Sequence, residues 1–190
     1  MTSIEKMDLK GKRVFLRTDL NVPIANGELA DLSRLEASRD TIECILRKGG
    51  ACVLASHIGR PEGYDDKLST NLLMPYLSNM LGVKIKFIGD CVGEDVDKAK
   101  QHTLSGEVLL LENLRFHRGE YDNDEDFAKS LSAFCDVFIN DAFATSHRSH
   151  ASLVGIIQYF GGNVGIGVQM ERELDALDRI LTYPKSPFTL

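Results

Sequence analysis

No stretch of this chain is apolar for long enough to cross a bilayer, which takes roughly 18 residues as a helix. The opening residues, Met1-Thr2-Ser3-Ile4-Glu5-Lys6-Met7-Asp8, hold no apolar segment of the secretory type. There is no excess of positive charge either. Asp and Glu number 28 against 22 Lys and Arg, a net charge of −6. General nucleic-acid binding and docking on anionic membranes both need a basic footprint and are disfavoured. The four cysteines, Cys44, Cys52, Cys91 and Cys135, include no C-x-x-C pair, so no zinc knuckle or redox couple is expected. Cys44, Cys52 and Cys135 lie in or beside apolar stretches and read as buried reduced thiols, as in a cytoplasmic protein. Two phosphate-binding signatures are missing as well. No G-x-x-x-x-G-K-[ST] loop occurs, and Gly161-Gly162-Asn163-Val164-Gly165-Ile166-Gly167 does not match G-x-G-x-x-G. No Ser or Cys nucleophile sits in an elbow motif.

What is present describes an ordinary soluble fold. At 190 residues the chain can bury roughly 70% of its unfolded surface without disulfide or metal. Apolar residues are 43% and charged residues 26%, near the globular average. Short apolar runs alternate with amphipathic ones. The runs at 13–16, 51–55, 83–88, 107–111, 136–140 and 163–168 read as strands, and 33–48, 70–81, 92–100, 150–160 and 170–181 as helices. A further helix carries Phe127, Leu131 and Phe134 behind candidate caps Asp122-Asn123-Asp124. Ser33-x-x-Glu36 fits a capping box, and Leu174, Leu177 and Leu181 share a helical register. The strands are almost continuously apolar, as in strands covered on both faces. Strands separated by helices imply an open, mostly parallel, doubly wound α/β sheet with helices on both faces, a Rossmann-like three-layer αβα architecture. The segment 183–187, Tyr183-Pro184-Lys185-Ser186-Pro187, reads as a linker, and Phe188-Thr189-Leu190 as the opening of another strand. The expectation is one domain over 1–182 and the start of a second over 183–190.

Ligands of open α/β sheets bind past the carboxyl ends of the strands. After the first run come Arg17, Asp19 and Asn21; after the second, His57 and Arg60; after 107–111, Glu112, Arg115, His117 and Arg118; after 136–140, Asp141, His147, Arg148 and His150. Arg34, near the start of the first helix, leans toward the same rim. Clustered guanidinium groups repel one another unless an anion neutralises them. Asp19, Glu112 and Asp141 are candidates to do so in part, and the remainder points to a phosphate or carboxylate ligand, which Arg grips bidentately. His147-x-x-His150 is at most half of a metal site, and with His117 it lacks a convincing ligand set, so no metal is expected. His57, ahead of Gly-x-Arg-Pro, reads as a loop hydrogen-bond donor more readily than as a general base. The residues alone also fit a non-catalytic anion-binding or folding module.

Four segments resemble the phosphoglycerate kinase family. They are Arg17-Thr18-Asp19-Leu20-Asn21-Val22-Pro23, Ser56-His57-Ile58-Gly59-Arg60-Pro61, Leu110-Leu111-Glu112-Asn113-Leu114-Arg115-Phe116, and Asn140-Asp141-Ala142-Phe143-Ala144-Thr145-Ser146-His147-Arg148-Ser149-His150-Ala151-Ser152. The resemblance covers essentially the whole chain but only the N-terminal half of the family's pattern. It implies reversible phosphoryl transfer in glycolysis between ATP and the carboxylate of 3-phosphoglycerate, giving 1,3-bisphosphoglycerate. It implies a monomer in which the N-terminal domain holds the phosphoglycerate, a C-terminal domain holds Mg-ATP or Mg-ADP, and a hinge closes the two. By resemblance, Asp19 and Asn21 face the substrate's hydroxyl and carboxylate end, and Arg34 reaches the phosphoryl group in flight. His57, Arg60, Arg115 and Arg148 hold the phosphate end, with His147 nearby. Ala144, Thr18 and Leu20 depart from the family's usual Gly, Val and Phe. The family's G-G-[AS]-K-[VL] stretch and nucleotide region have no counterpart in this sequence, which therefore reads as the phosphoglycerate-binding part, inactive alone.

Overall fold

The computed structural model of the chain describes residues 2–25 and 28–182. In chain order its elements are β1 (Thr2–Ser3), β2 (Arg13–Thr18), β3 (Ile24–Ala25), β4 (Glu28–Leu29), α1 (Ser33–Arg47), β5 (Ala51–Ala55), α2 (Met74–Leu81) and β6 (Ile85–Ile88). There follow α3 (Glu94–Gln101), β7 (Val108–Leu111), α4 (Arg118–Asp122), α5 (Glu125–Ser132), β8 (Val137–Asp141), β9 (Val164–Ile166) and α6 (Val168–Thr182). Seven strands form one sheet in the order β1-β9-β8-β2-β5-β7-β6. Every pairing in it is parallel. The expected doubly wound α/β architecture is the one observed. From the central β2 the chain winds out through β5, β6 and β7, then returns to the other side of β2 by way of β8 and β9. The reversal between β2 and β8 opens a crevice past the carboxyl ends of the strands.

Strand side chains alternate between two cores, because the period of a strand is two residues. Val14 and Leu16 of β2, with Leu54, Leu110 and Ile139 beside them, pack against Leu35, Ile42 and Ile45 of α1 and Leu77 of α2. Phe15, Val53, Leu109 and Phe138 face the other way, onto Val96 of α3, Phe127 and Leu131 of α5, and Ile156 and Phe160. Both faces are therefore covered, and the strands read as apolar throughout.

Several local expectations are corrected. Asp31 takes both the N–H and the hydroxyl of Ser33, at 2.8 and 3.0 Å, so Ser33 does not cap α1 and the capping box does not form. The 70–81 helix begins as a 3-10 turn over Thr70–Leu73 and turns α only at Met74, where Pro75 fits the first turn. The 150–160 segment carries a 3-10 turn, Gly155–Phe160, instead of an α-helix. Asp124 does cap α5, accepting from the Phe127 amide at 2.8 Å. Phe134 lies past the end of α5 with φ +61° and is exposed. Leu177 and Leu181 are also exposed on α6. The expected linker over 183–190 lies outside the described residues.

Gly167, between β9 and α6, shows how closely the two meet. Asp141 Oδ1 accepts the Met170 amide at 2.8 Å and so caps the first turn of α6. A Cβ on Gly167 would overlap the Asp141 carboxylate. Gly167→Ala is expected to cost about 1–3 kcal/mol through forced repacking, read as a lowered urea midpoint. An unchanged midpoint would show that the junction is looser than its geometry.

Candidate functional site

Hydrogen bonds among the four rim segments fix where the polar side chains converge. The Ser56 hydroxyl donates to the Thr18 carbonyl at 2.8 Å and accepts the Leu20 amide at 2.9 Å, pinning the loop after β2 against the loop after β5. Asn21 Oδ1 accepts the Gly59 amide at 2.8 Å. Asn113, after β7, donates to the carbonyls of Ile58 and Leu68 at 2.8 and 2.9 Å and accepts the Arg115 amide at 3.0 Å. Gly59 adopts φ +65°, a conformation open to glycine at no steric cost.

Five guanidinium groups and His57 gather on this frame, at very different depths. Arg17 is fully buried. Its Nε donates to Ser152 Oγ at 3.0 Å, its Nη1 to the Thr18 carbonyl, and its Nη2 to His57 Nδ1 at 3.1 Å. A guanidinium can only donate, so Nδ1 accepts and the neutral ring keeps its proton on Nε2. Burial, then the charges of Arg17, Arg115, His150 and Arg34, drive the His57 pKa far below its ordinary value. A ring that stays neutral across the working pH range does not shuttle protons as a general base.

Arg115 is nearly buried. Its Nη1 donates to the Gly59 carbonyl at 2.7 Å, and the guanidinium stands 5.6 Å from the Tyr121 ring centre. Its Nε is buried with no hydrogen-bond partner among the described residues. Burial lowers its pKa first, and the nearby charges of Arg60 and Arg148 push the same way. Arg60, His147 and Arg148 are exposed. Arg34 forms an ion pair with Asp19. It lines both a cleft of about 1100 Å3 and a small hollow of about 260 Å3 on its other side. The larger cleft is lined by apolar side chains, among them Ile58 and Leu68, and by the charged Asp31, Asp65, Asp66 and Lys67, and of the polar cluster only Asn21 and Arg34 reach it.

The structure thus groups Arg17, Asp19, Asn21, Arg34, His57 and Arg115, with Arg60 and Arg148 close enough to be felt by Arg115. His147 shares the exposed loop with Arg148. Two of the three carboxylates expected to neutralise arginines do other work. Asp141 caps α6, and burial raises its pKa. Glu112 accepts from Ser69 Oγ, the Thr70 amide and the Asn113 amide at 2.7, 2.8 and 2.7 Å, anchoring the 3-10 turn ahead of α2. Arg118 points outward in a pair with Asp122.

The buried counter-charge is Glu120, which the sequence patterns do not single out. It is fully buried and accepts from Ser152 Oγ at 2.6 Å and the Ser152 amide at 2.9 Å. Burial alone would raise its pKa; His150, Arg17 and Ser152 outweigh that and hold it low. Its five-residue helix α4 is too short to show periodicity, so no local signal marks it. The cluster still holds more guanidinium groups than carboxylates, a local surplus of positive charge.

Metal donors collect elsewhere. Asp90, Cys91 and His117 bring ligand atoms within 4.8 Å of one another. Each donor already has a protein partner: His117 Nε2 and Asp90 Oδ1 are 2.7 Å apart, and the Cys91 thiol donates to the Glu112 carbonyl at 2.9 Å. Burial, with Asp90 and Glu112 beside it, pushes the Cys91 thiol well above its ordinary pKa. His147 and His150 do not act as a pair, since His150 is buried beside Glu120 and His147 is exposed. No helix among the described residues is long and apolar enough to span a membrane.

Comparison with known proteins gives a consistent result. A sequence model of the family described as phosphoglycerate kinase matches residues 4–190. Phosphoglycerate kinase of Dictyoglomus turgidum is 42% identical over 181 residues, spanning 95% of this chain and 45% of its own length. The cytosolic phosphoglycerate kinase of Triticum aestivum is 44% identical over 187 residues, 98% of this chain and 46% of its own. The crystal structure of phosphoglycerate kinase from Pyrococcus horikoshii OT3 superposes with a TM-score of 0.90 at 34% identity, covering 98% of this chain and 47% of that one. The chain spans about half the length of the curated relatives it matches.

Proposed function

The chain belongs to the phosphoglycerate kinase family, and on that premise we propose that its guanidinium cluster binds 3-phosphoglycerate or 1,3-bisphosphoglycerate. The observation that carries the reading is the excess of convergent guanidinium groups at the switch point of the sheet. In this reading Arg60, Arg115 and Arg148 hold the phosphate, with His57 as a neutral donor and His147 alongside. Asp19 and Asn21 face the hydroxyl and carboxylate end. Arg34, half-exposed and paired among the described residues with Asp19, turns to the transferred phosphoryl group.

The reaction is phosphoryl transfer between ATP and the carboxylate. That acceptor is already ionised at neutral pH, so no general base is needed and positioning with charge stabilisation dominates. The donors gathered here are cationic nitrogens, which do not suit a Mg2+ ion that seeks oxygen ligands. We therefore assign Mg-ATP and Mg-ADP to a second domain, beginning near 183–190, and expect binding without turnover from this chain. A monomeric cytoplasmic enzyme completes the reading.

Isothermal titration tests it. 3-Phosphoglycerate should bind, more weakly as salt rises. Arg60→Ala and Arg148→Ala should each weaken it by about 1.5–3 kcal/mol, the scale of a charged hydrogen bond. Arg118→Ala should leave binding unchanged. Equal displacement by sulfate would favour the plain anion-binding module, and no heat with tens of millimolar ligand would remove the assignment.

A further inference from the structure

We propose that Glu120 is a positioning residue that fixes, through Ser152 and Arg17, which nitrogen of His57 carries the proton offered to the anion. The four groups form one buried chain. Ser152 Oγ lies 2.6 Å from Glu120 Oε1, Arg17 Nε lies 3.0 Å from Ser152 Oγ, and Arg17 Nη2 lies 3.1 Å from His57 Nδ1. Glu120, Ser152 and Arg17 are completely buried, and His57 almost so.

The chain has a direction because its end groups have no choice. An ionised carboxylate only accepts, so the single Ser152 hydroxyl proton points to Glu120. That leaves a lone pair of Ser152 Oγ turned to Arg17 Nε–H. With Nε and Nη1 committed to Ser152 and the Thr18 carbonyl, the guanidinium plane is set and Nη2 meets His57 Nδ1. The imidazole proton is thereby placed on Nε2, on the ring edge away from Arg17. The links come from four distant segments: Glu120 lies in α4, Ser152 follows β8, Arg17 lies in β2, and His57 follows β5. The charge of Glu120, together with that of Asp19, also compensates the buried Arg17 guanidinium.

Both Glu120 oxygens accept, one from Ser152 Oγ and one from the Ser152 amide at 2.9 Å. A glutamine offers one oxygen, so its amide nitrogen must face a second donor. Glu120→Gln therefore breaks the chain with almost no change in volume. Ser152→Ala breaks it while leaving the charge in place.

The inference rests on the anion-site reading for its consequence, but its primary readout does not. In the 190-residue chain, long-range 15N NMR of the histidines should show His57 as a neutral ring protonated on Nε2. Both variants should change that signature, to mixed tautomers or a titrating ring. Affinity for 3-phosphoglycerate should fall about ten- to a hundredfold, the scale on which loss of an orienting partner weakens a site. If Glu120→Gln fails to give a folded circular-dichroism spectrum, Ser152→Ala decides the matter. An unchanged His57 signature in a folded variant overturns the proposal whatever the ligand does. A changed signature with no 3-phosphoglycerate binding by the wild type upholds the positioning chain and overturns the substrate assignment.

Discussion

Arg17→Met is expected to destabilise the fold by on the order of 3–5 kcal/mol, the cost of leaving a buried charge without the opposite charge that compensates it. Methionine fills much of the space of the arginine stem, so the loss comes from charge and hydrogen bonds more than from volume. Three donor contacts disappear together, to Ser152, to Thr18 and to His57. Glu120, fully buried, loses the guanidinium charge that, after His150, holds its pKa down. The contrast is Arg118→Ala: its pair with Asp122 is solvent-exposed on both sides, and such pairs contribute under about 1 kcal/mol. Urea denaturation at neutral pH compares the two. A loss for Arg17→Met no larger than that for Arg118→Ala would show that Glu120 is neutralised by some other group.

The pH dependence of that loss carries a sign. In the wild type the folded pKa of Glu120 is depressed. Its contribution is present above the unfolded carboxyl pKa and is lost as pH falls through the lower, folded value. In the variant the folded pKa moves up, since burial then acts with less opposition. The ionised carboxylate is costly there, and acid relieves the cost by protonating it. The gap between wild type and variant should narrow as the solution is acidified; a gap that widens would contradict the charge account.

Phe138→Ala is the second large effect, about 3–5 kcal/mol, as for other buried aromatic truncations. Phe138 is fully buried on β8, with its ring 6.1 Å from that of Phe15 and 5.7 Å from that of Phe160. Removing it opens a cavity between β2, β8 and the Gly155–Phe160 turn, which the rigid sheet cannot close. Domains of this kind are typically stable by about 5–15 kcal/mol, so the variant is expected to unfold well below the wild-type urea midpoint. Phe138→Leu, which keeps more of the volume, should lose markedly less. Equal losses from the two would point to the aromatic contacts themselves and away from the cavity. The same strand leads to the turn bearing His147 and Arg148, so a softened β8 should also weaken the anion binding proposed for this site.

Arg17 and Arg34 show where the reading of the sequence succeeds and where it stops. Both stand in or beside the recognisable rim segments, and both were expected at one anion site. Nothing in the linear order says that one lies wholly inside and the other half in solvent. Depth depends on which strands flank β2, and those strands pair with it from 38 and 123 positions away. Glu120 and Lys100 were unreadable for a related reason. Each sits in a short polar helix that looks solvated. Tertiary packing sealed both, leaving Lys100 Nζ on the carbonyls of Ser130 and Leu131, each at 3.1 Å, at the end of α5. The two-residue strand β1 at the sheet edge, and the β3–β4 hairpin, are likewise too short to leave a period.

Continuous apolar strands, spaced by amphipathic helices, were enough by themselves to dictate a parallel sheet covered on both faces, and the four rim segments were enough to identify the family. Those properties follow from local periodicity and from runs of adjacent residues, which a linear chain states directly. Which carboxylate balances which guanidinium, and which histidine nitrogen keeps its proton, was decided only when distant segments closed around one another. Burial and hydrogen-bond direction are properties of assembled neighbours, and no residue carries them alone.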